Sequence, residues 1–540
     1  MDVADILIVG AGPAGLSAAI RAKQKNKELR VIVVEKASEV GLHTLSGAVI
    51  EPRALNELLP NWKESAPIYT EATEDKMLFL TKNHSVVLPH PESMNNHGNY
   101  IVSLSQVVKW LGEQAEALGV EIYSGISASE LVIKNDKVLG IATSPVGLDK
   151  NSKPTSNYDP GMLLLAPITL LGEGCHGSLS KQFINRFQLR QNQHQTYGIG
   201  LKEVWEVPKE QHQNGLVVHS VGWPLDQFTY GGSFLYHFTD ANQRKLISVG
   251  LVLGLDYWNT NTRPYMAFQT LKTHPTISQF FKNGKCISYG ARALNEGGWQ
   301  SLPQLTMPGC ALIGCSAGFL NLPKIKGTHL AMKSGMLAAD EAVEQLEKNK
   351  PDIAIEDESE LKEFKVLDLS PYEQAVKYDS YVGKELYQVR NARPAFHLGL
   401  YGGLAYNGLD LFILKGKTPW TLSHGKPDHL TLKPHSECPP IEYCKPDNEL
   451  TFPLLDNLSR SGTNHNEAQP SHLQPKNDLD QLKHNLPIYD GPEGKFCPAG
   501  VYEYVDLPEQ QTLSDGTRTK MKFQINSQNC VHCKTYYSLM

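Results

Sequence analysis

The 540-residue chain has few cysteines and no long apolar run. Nine cysteines are too few for the disulfide scaffold of a small secreted domain. No stretch of about 20 apolar residues is present, so no transmembrane helix is expected. A basic surplus is also missing, because 57 acidic residues outnumber 51 lysines and arginines, which argues against a nucleic-acid binder. The first residues show neither a signal peptide nor an arginine-rich leader, so no targeting segment is expected.

The remaining composition is that of a globular protein. Apolar residues make up 41% of the chain and charged residues 20%, which favours a sizeable core over global disorder. At about 150 residues per domain, the length corresponds to three or four domains.

A glycine-rich turn follows the first apolar segment, residues 4–9, which is predicted to be a buried parallel strand. Gly10 makes a tight turn, Gly12 lets the backbone approach a pyrophosphate, and Gly15 lets the next helix pack on the strand. Glu35 ends the second predicted strand, where its carboxylate can accept hydrogen bonds from a ribose. This context predicts a dinucleotide site, with a chance turn as the alternative. The motif leaves the choice between FAD and NAD open.

A second strand, turn and helix at residues 310–345 favours FAD. FAD enzymes of the glutathione-reductase class close the flavin site with such a unit, whose helix N-terminus favours a reduced anionic flavin. Here the turn is Gly314-Cys315, and the helix is predicted to begin near Gly327-Thr328. Such enzymes often have Gly-Asp at the turn, so the ribitol contact at Cys315 stays open. A simple packing helix is the alternative.

Cysteines near the C-terminus form a candidate metal site. Cys530 and Cys533 have the spacing that holds one metal or one cluster edge, and the distant Cys497 can complete the shell. Spacing alone leaves zinc, iron–sulfur and no metal as alternatives. Cys438 and Cys444 lie in a proline-rich segment and are interpreted as incidental.

One apolar segment approaches the length of a membrane span. Residues 398–414 contain a single charge, Asp410, and are interrupted by glycines. A helix lying in the membrane surface fits this pattern, whereas the segment by itself favours a buried core helix. Two polar stretches, residues 345–362 and 457–485, mark boundaries, and the second is predicted to be a surface excursion or linker.

Longer runs of sequence resemble the electron transfer flavoprotein–ubiquinone oxidoreductase family over nearly the whole chain. The runs that carry the resemblance include GLHTLSGAV (41–49), GEGCHG (172–177), VGWPLDQFTYGGSFLYH (221–237), NLPKIKGTHLAMKSG (321–335), IYDGPEGKFCPAGVYE (488–503) and QNCVHCKT (528–535).

The resemblance implies an α/β fold, α+β overall. A glutathione-reductase-like FAD-binding Rossmann domain would contain an inserted, mostly-β quinone domain and be followed by a C-terminal ferredoxin-like iron–sulfur domain. The expected boundaries are as follows: FAD domain at 1–75, 120–195 and 285–345; ubiquinone-binding domain at 76–119 and 196–284; membrane-contact and cluster domain at 346–540.

The resemblance also implies an electron-transferring-flavoprotein dehydrogenase. Electrons would pass from reduced electron transfer flavoprotein through FAD and a [4Fe–4S] cluster to ubiquinone. The enzyme would attach peripherally to a membrane through residues 77–91 and 398–414. We expect the cytoplasmic face of a bacterial inner membrane, with the mitochondrial inner membrane as the alternative. The family's quinone contact falls on Gly231 and Gly232, where a bulge or turn is the alternative.

The chain departs from the family at the cluster motif. The family has C-x-x-C-x-x-C, but the third position is Tyr536 here, and a phenolate is a poor substitute for a thiolate. The matching ligands are Cys497, Cys530 and Cys533. The cluster is therefore expected to be labile or absent, or to take an outside ligand.

Other residues have expected supporting roles. Tyr502 and Thr535 match family positions near the cluster and could donate hydrogen bonds to sulfur, which would raise the reduction potential. His43, His176 and His329 are expected to be structural, with no catalytic role. Two alternative functions stay open: a flavin-only quinone reductase that has lost its cluster, and an inactive flavin-binding remnant.

Overall fold

The computed structural model describes residues 1–45, 48–191, 193–349, 351, 361, 363–474 and 479–539. Much of the predicted boundary at residues 345–362 lies outside this part of the chain. The described chain contains six β-sheets, of which two are large.

The first large sheet is the predicted dinucleotide-binding sheet. Three of its inner strands, Cys310–Leu312, Ile168–Leu171 and Ile6–Val9, are almost fully buried and mostly apolar, as expected of a parallel sheet covered by helices. Neighbouring strands are parallel except at one edge, where the short first strand is antiparallel to the second. In spatial order the strands are Thr306–Met307, Cys310–Leu312, Ile168–Leu171, Ile6–Val9, Val31–Glu35 and Glu121–Ser124.

Helices pack closely around this sheet. The helix Pro13–Lys25 contacts both Leu104–Ala117 and the long helix Thr328–Asn349. A Cβ atom on Gly335 would lie 2.1 Å from the backbone oxygen of Ala14, so the absence of a side chain allows these two helices to approach. A shorter helix, Ser178–Arg186, follows the third strand of the sheet.

Residues 163–171 form two strands where the sequence predicts one. Leu163–Leu165 joins a four-stranded sheet and Ile168–Leu171 joins the parallel sheet. Pro167 separates them, because its ring lacks the N–H needed for a continuous ladder. The other strands of the four-stranded sheet are Asp2–Val3, Lys137–Thr143 and Ala128–Lys134.

The second large sheet has seven strands and occupies the middle of the chain, which agrees with the mostly-β prediction. It is antiparallel except for one pair, Leu216–Gly222 beside Glu74–Leu80. Its spatial order is Lys285–Asn295, Tyr197–Glu206, Lys245–Gly254, Gly231–Thr239, Leu216–Gly222, Glu74–Leu80 and Ser85–Leu88.

Smaller elements complete the fold. The remaining strands are Val49–Ile50, Thr70–Glu71, Tyr100–Ile101, Val146–Leu148, Pro154–Asp159, Tyr502–Thr512 and Arg518–Ile525. The remaining α-helices are Arg53–Leu58, Pro264–Lys272, Pro275–Ser278, Ser370–Gln374, Tyr381–Gln388, Gly399–Asn407, Leu454–Leu458, Leu486–Tyr489, Glu493–Phe496 and Tyr536–Leu539. No helix in the described ranges is both long enough and apolar enough to cross a bilayer.

The C-terminal part shares its core with the seven-stranded sheet. Phe496 and Val501 pack in the same apolar cluster as Ile199 of that sheet. The same part of the molecule contains the fully buried ion pair Glu203–Lys272, in which the Lys272 Nζ lies 2.8 Å from a Glu203 carboxylate oxygen. Asn457 also donates to Glu203, so the buried carboxylate links the sheet to the C-terminal part. A buried charge is tolerated when paired and hydrogen-bonded in this way.

Candidate functional site

One large cavity connects the predicted sites. Its volume of about 1540 Å³ exceeds the 300–1,000 Å³ typical of a single small-molecule pocket, so it has room for more than one group. Most predicted site residues line this cavity, but Gly15 and Gly314 do not. Those that line it are Gly10, Gly12, Glu35, Gly231, Gly232, Cys315, Gly327, Thr328, Cys497, Cys530 and Cys533.

The three glycines of the first turn differ in what surrounds them. Gly10 has φ +102°, and a Cβ there would lie 2.6 Å from the Gly172 carbonyl oxygen. A Cβ on Gly15 would lie 2.0 Å from the Gly10 oxygen. Both positions therefore require glycine for the fold itself. At Gly12 a Cβ would meet nothing within 4 Å, so this backbone borders open cavity where a pyrophosphate can approach.

Glu35 lies at the end of its strand beside this turn. Its carboxylate accepts hydrogen bonds from the backbone N–H groups of Ala11, at 3.0 Å, and Ala37, at 2.8 Å. Each carboxylate oxygen has a second acceptor position, so these bonds fix the side chain and leave it able to accept ribose hydroxyls. The turn and the acid thus fit an adenine dinucleotide.

The second turn and helix face the same cavity. Gly314 has φ +60°, and its N–H donates to the Ser334 hydroxyl at 2.9 Å. The helix begins at Thr328, as predicted. Burial raises the pKa of the Cys315 thiol to about 11, so the side chain at this turn is a neutral thiol. These residues fit the flavin half of FAD, with a weak donor at Cys315.

The glycine pair lies at the start of the strand Gly231–Thr239. A Cβ on Gly231 would lie 2.4 Å from the Val252 oxygen, and one on Gly232 would lie 2.6 Å from the Ser220 oxygen. Close backbone approach therefore accounts for both glycines without a ligand. A larger side chain at Gly232 would therefore disturb strand pairing as well as the cavity.

Buried polar side chains surround the glycine pair. His219 and Tyr236 are hydrogen-bonded at 2.9 Å and line the cavity, and burial lowers the pKa of His219 to about 3. Ser220 and Ser233 are also hydrogen-bonded to each other. Sequence analysis did not single out these residues. The signal is weak, since alternation along a strand does not show which face borders a cavity.

The three predicted cluster ligands line another part of the cavity. Each sulfur accepts a hydrogen bond from a nearby residue, which favours thiolate ligation. The pairs are Val501 N–H with Cys497 at 3.4 Å, His532 N–H with Cys530 at 3.4 Å, and the Thr535 hydroxyl with Cys533 at 3.2 Å. The donor role predicted for Thr535 is thus present.

Burial raises the pKa of Cys497 to about 12 and that of Cys530 to about 11, so the thiols carry protons that metal binding must displace. The donor set fits three corners of a [4Fe–4S] cluster.

Tyr536 is the residue predicted to replace the family's fourth cysteine. It lines the same cavity, and its ring centroid lies 5.3 Å from that of Tyr502. Burial raises the pKa of the Tyr536 phenol, so the hydroxyl is neutral and cannot replace a thiolate. Among the hydrogen bonds of the described chain, none joins the Tyr502 hydroxyl to a cysteine sulfur.

The chain around the last cysteine docks against the loop that follows the strand Ile168–Leu171 and against the seven-stranded sheet. Lys534 donates to the backbone oxygens of Cys175, at 2.9 Å, and His176, at 3.1 Å. The His176 ring is hydrogen-bonded to Ser538 at 2.7 Å. On the other side, the Ala293 N–H donates to the Cys533 oxygen at 2.8 Å. The cysteine segment is therefore held between that loop and the seven-stranded sheet, a placement that no sequence pattern indicated.

The polar stretch 457–485 is a surface segment but not a linker. Residues 475–478 lie outside the described chain. His465 and His472 line the cavity beside the cysteines, and the His465 ring donates to the Cys530 oxygen at 2.7 Å. Of the two predicted alternatives, these contacts favour a surface excursion over a linker. Polar composition indicates exposure but does not show what the exposed segment covers.

Segment 398–414 is not a core helix. It contains the helix Gly399–Asn407 and a π-helical turn, Gly408–Leu414. Leu398 is 67% exposed and Ile413 is 71% exposed. The second predicted contact, the hairpin within 77–91, has Val87 69% exposed.

The two exposed apolar segments lie side by side. The rings of Phe79 and Tyr401 are 6.2 Å apart. Leu404 and Leu411 from the first segment and Met77 from the second line the cavity. Both apolar segments therefore contribute to the cavity lining.

The histidines that the sequence marked as structural have structural contacts. His176 stacks on Tyr197 with ring centroids 4.0 Å apart, and burial lowers its pKa to about 3. His329 is buried and bonds Glu385 at 3.2 Å. The His43 ring packs 5.4 Å from that of His532.

Comparisons with known proteins support each part separately. Residues 5–50 match the family described as FAD binding domain. Residues 197–294 match "ETF-QO, ubiquinone-binding", and residues 448–537 match "Electron transfer flavoprotein-ubiquinone oxidoreductase, 4Fe-4S".

Similarity to single proteins extends over nearly the whole chain. The mitochondrial electron transfer flavoprotein-ubiquinone oxidoreductases of Rattus norvegicus and Homo sapiens are each 52% identical over 547 residues, covering 99% of this chain and 85% of theirs. A solved geranylgeranyl bacteriochlorophyll reductase-like protein from Thermoplasma acidophilum shares the fold, with TM-score 0.52 and 17% identity over 78% of this chain and 93% of its own.

The fold and the cavity define a flavin-dependent oxidoreductase with an iron–sulfur domain. Sequence identity then specifies the family: the chain belongs to the electron transfer flavoprotein–ubiquinone oxidoreductases. It is an oxidoreductase with a quinone acceptor that transfers electrons from electron transfer flavoprotein to ubiquinone. The resemblance seen in the sequence and the predicted fold class are both confirmed.

Proposed function

We propose that the single cavity holds the whole electron path. FAD would bind along Gly10, Gly12 and Glu35, with its flavin near Cys315 and Thr328. When bound, FAD exchanges electron pairs and single electrons, and the cluster carries single electrons. The observation that carries the proposal is the continuity of the cavity from the dinucleotide turn to the cysteines and the apolar mouth.

The chain's own residues would exclude water and fix the groups. Gly12 gives backbone access to the pyrophosphate, and Glu35 orients the ribose. Thr535 and the two backbone donors stabilise negative charge on the cysteine sulfurs. We propose the three predicted domains with two boundaries moved. The strand Lys285–Asn295, predicted within the FAD domain, pairs in the seven-stranded sheet and goes with the ubiquinone domain. The helix Leu104–Ala117, predicted within the ubiquinone domain, contacts Pro13–Lys25 and goes with the FAD domain, whereas the cluster domain stays at 346–540.

Ubiquinone would enter from the membrane between the two apolar segments and reach the Gly231–Gly232 backbone. Its long apolar tail needs an apolar entrance, which Leu404 and Leu411 supply at the mouth. The His219–Tyr236 pair lies along the same cavity.

Blocking the mouth tests this path. Leu404→Trp is expected to raise the KM for ubiquinone strongly, because the larger ring narrows the entrance. Reduction of the enzyme by electron transfer flavoprotein should stay near normal, since that step does not use the mouth. Leu430→Trp, at an exposed position away from the cavity lining, is the matched control. Equal loss of both activities would contradict the assignment.

We propose peripheral attachment to a membrane through residues 77–91 and 398–414. The support is the exposure of Val87, Leu398 and Ile413 on two segments whose other residues line the cavity. The side of the membrane stays a prediction: the sequence favours the cytoplasmic face of a bacterial inner membrane, whereas the curated relatives are named mitochondrial.

Ile413→Glu is expected to weaken binding to liposomes about 10- to 150-fold. Full burial of an isoleucine side chain contributes about 1.5–3 kcal/mol, and a carboxylate removes that contribution. Sedimentation with liposomes measures the bound fraction, and turnover with a soluble quinone analogue should persist. Val146→Glu, 52% exposed in the wild type, is the control. Unchanged sedimentation of Ile413→Glu would show that this segment does not contact lipid.

A further inference from the structure

Three histidines converge beside the cysteine segment. One nitrogen from each of His465, His472 and His532 lies within 4.8 Å of the others. The three rings are mutually packed, with centroids 4.9–5.0 Å apart. Two of them come from the polar stretch 457–485, and the third lies between Cys530 and Cys533. Residues distant in the chain thus bring three imidazole nitrogens, each a potential metal ligand, to one place.

We propose that His465, His472 and His532 form a binding site for one divalent transition-metal ion of the zinc type. Zinc accepts three histidines plus water, with Zn–N distances of about 2.0–2.1 Å. Tetrahedral geometry at that bond length sets the nitrogens about 3.3 Å apart. The observed spacing therefore needs only small side-chain rotations to close around an ion.

The outer contacts of the trio support metal binding. The His465 Nε2–H donates to the Cys530 carbonyl at 2.7 Å, which leaves Nδ1 unprotonated. A ligand histidine typically donates its second ring N–H to a backbone carbonyl in this way. In the described chain no hydrogen-bond partner is present for the ring nitrogens of His472 or His532. Among the described residues, no hydrogen bond therefore competes with a metal ion for these ring nitrogens.

A second cluster with ligand-type side chains shows the contrast. Glu51, His329 and Glu385 also bring three donor atoms within 4.8 Å. Lys324 is ion-paired to Glu51, and Arg53 is ion-paired to both carboxylates. Side-chain cations therefore already neutralise that cluster, whereas the histidine trio has no charged group bonded to its rings.

The ion would join the polar segment to the cysteine segment, since it would hold His465 and His472 against His532. Lys36 lies near His472 and His532, so nitrogen coordination rather than net charge must supply the affinity. The proposed site uses imidazole nitrogens, whereas the three cysteines would bind through thiolates.

Zinc titration of the purified holoenzyme tests the proposal. The wild type should take up one Zn²⁺ in competition with a chromophoric chelator. His472→Gln should weaken that affinity at least 10- to 100-fold, the range lost when even an outer-shell partner of a ligand is removed. His429→Gln, at an exposed position outside the trio, should bind as the wild type does. The bound ion should also raise Tm in the wild type and not in His472→Gln.

Cys533→Ser separates the histidine site from zinc on the cluster cysteines. Retention of zinc binding by Cys533→Ser together with loss in His472→Gln supports the proposal. Loss in Cys533→Ser with no change in His472→Gln places the ion on sulfur and overturns it. Absence of stoichiometric uptake by the wild type overturns it as well. None of these outcomes depends on electron transfer, so the proposed function is tested independently.

Discussion

Gly12→Val is expected to give folded protein that contains almost no FAD. The glycine has φ −86°, which valine can adopt, and a Cβ there meets only cavity. The added methyl groups would occupy the space of the pyrophosphate. The steric overlap costs about 1–3 kcal/mol, and the loss of hydrogen bonds to the charged pyrophosphate costs about as much again. Together these costs are expected to lower the affinity for FAD about 100-fold or more. Flavin absorbance after desalting is the measurement.

Gly15→Val serves as the comparison for this prediction. Its Cβ would lie 2.0 Å from the Gly10 oxygen, so it should lower the free energy of unfolding as well as flavin content. Gly12→Val should keep the thermal stability of flavin-free wild type, whereas Gly15→Val should not. A yellow Gly12→Val protein with wild-type flavin content would contradict the dinucleotide site.

Tyr536→Cys is expected to raise iron content markedly. We propose that the wild type binds a cluster through Cys497, Cys530 and Cys533, with one iron open to water or a small thiol. An open iron is lost readily, so we expect less than four irons per chain, with FAD near one. A cysteine at 536 supplies the fourth thiolate from the same wall of the cavity. Iron and acid-labile sulfide per flavin are the measurements.

Tyr537→Cys is the matched control, since it adds a cysteine one residue away. The Tyr537 ring lies under Lys181, with Nζ 3.3 Å from its centroid, and is 52% exposed. This substitution should leave iron content unchanged. Electron paramagnetic resonance of the reduced protein, scaled to flavin, reports intact cluster. A full signal in the wild type would show that another fourth ligand exists.

The same measurement separates the alternative functions. Quinone reduction by a wild type without iron would identify a flavin-only quinone reductase. Flavin binding without any quinone reduction would identify an inactive remnant. Iron that tracks quinone activity across wild type and Tyr536→Cys would support the cluster as part of the path.

Local patterns predicted several features well. The strand, glycine turn and helix at residues 4–25 are set by contacts between near neighbours, so spacing is enough to recognise them. The helix start at Thr328 follows from the same kind of pattern. The split of residues 163–171 at Pro167 also has a local cause, since proline interrupts a continuous strand.

By itself the sequence determined the family, the dinucleotide turn and the ligand types, because these depend on residue identity at fixed spacing. Only the tertiary structure decided which separated segments meet. It brought His465 and His472 to His532 and exposed the apolar residues of 398–414. It also placed the Ser220 oxygen against Gly232. The physical reason is that exposure and close approach depend on which distant elements pack together, and no short-range pattern records that choice.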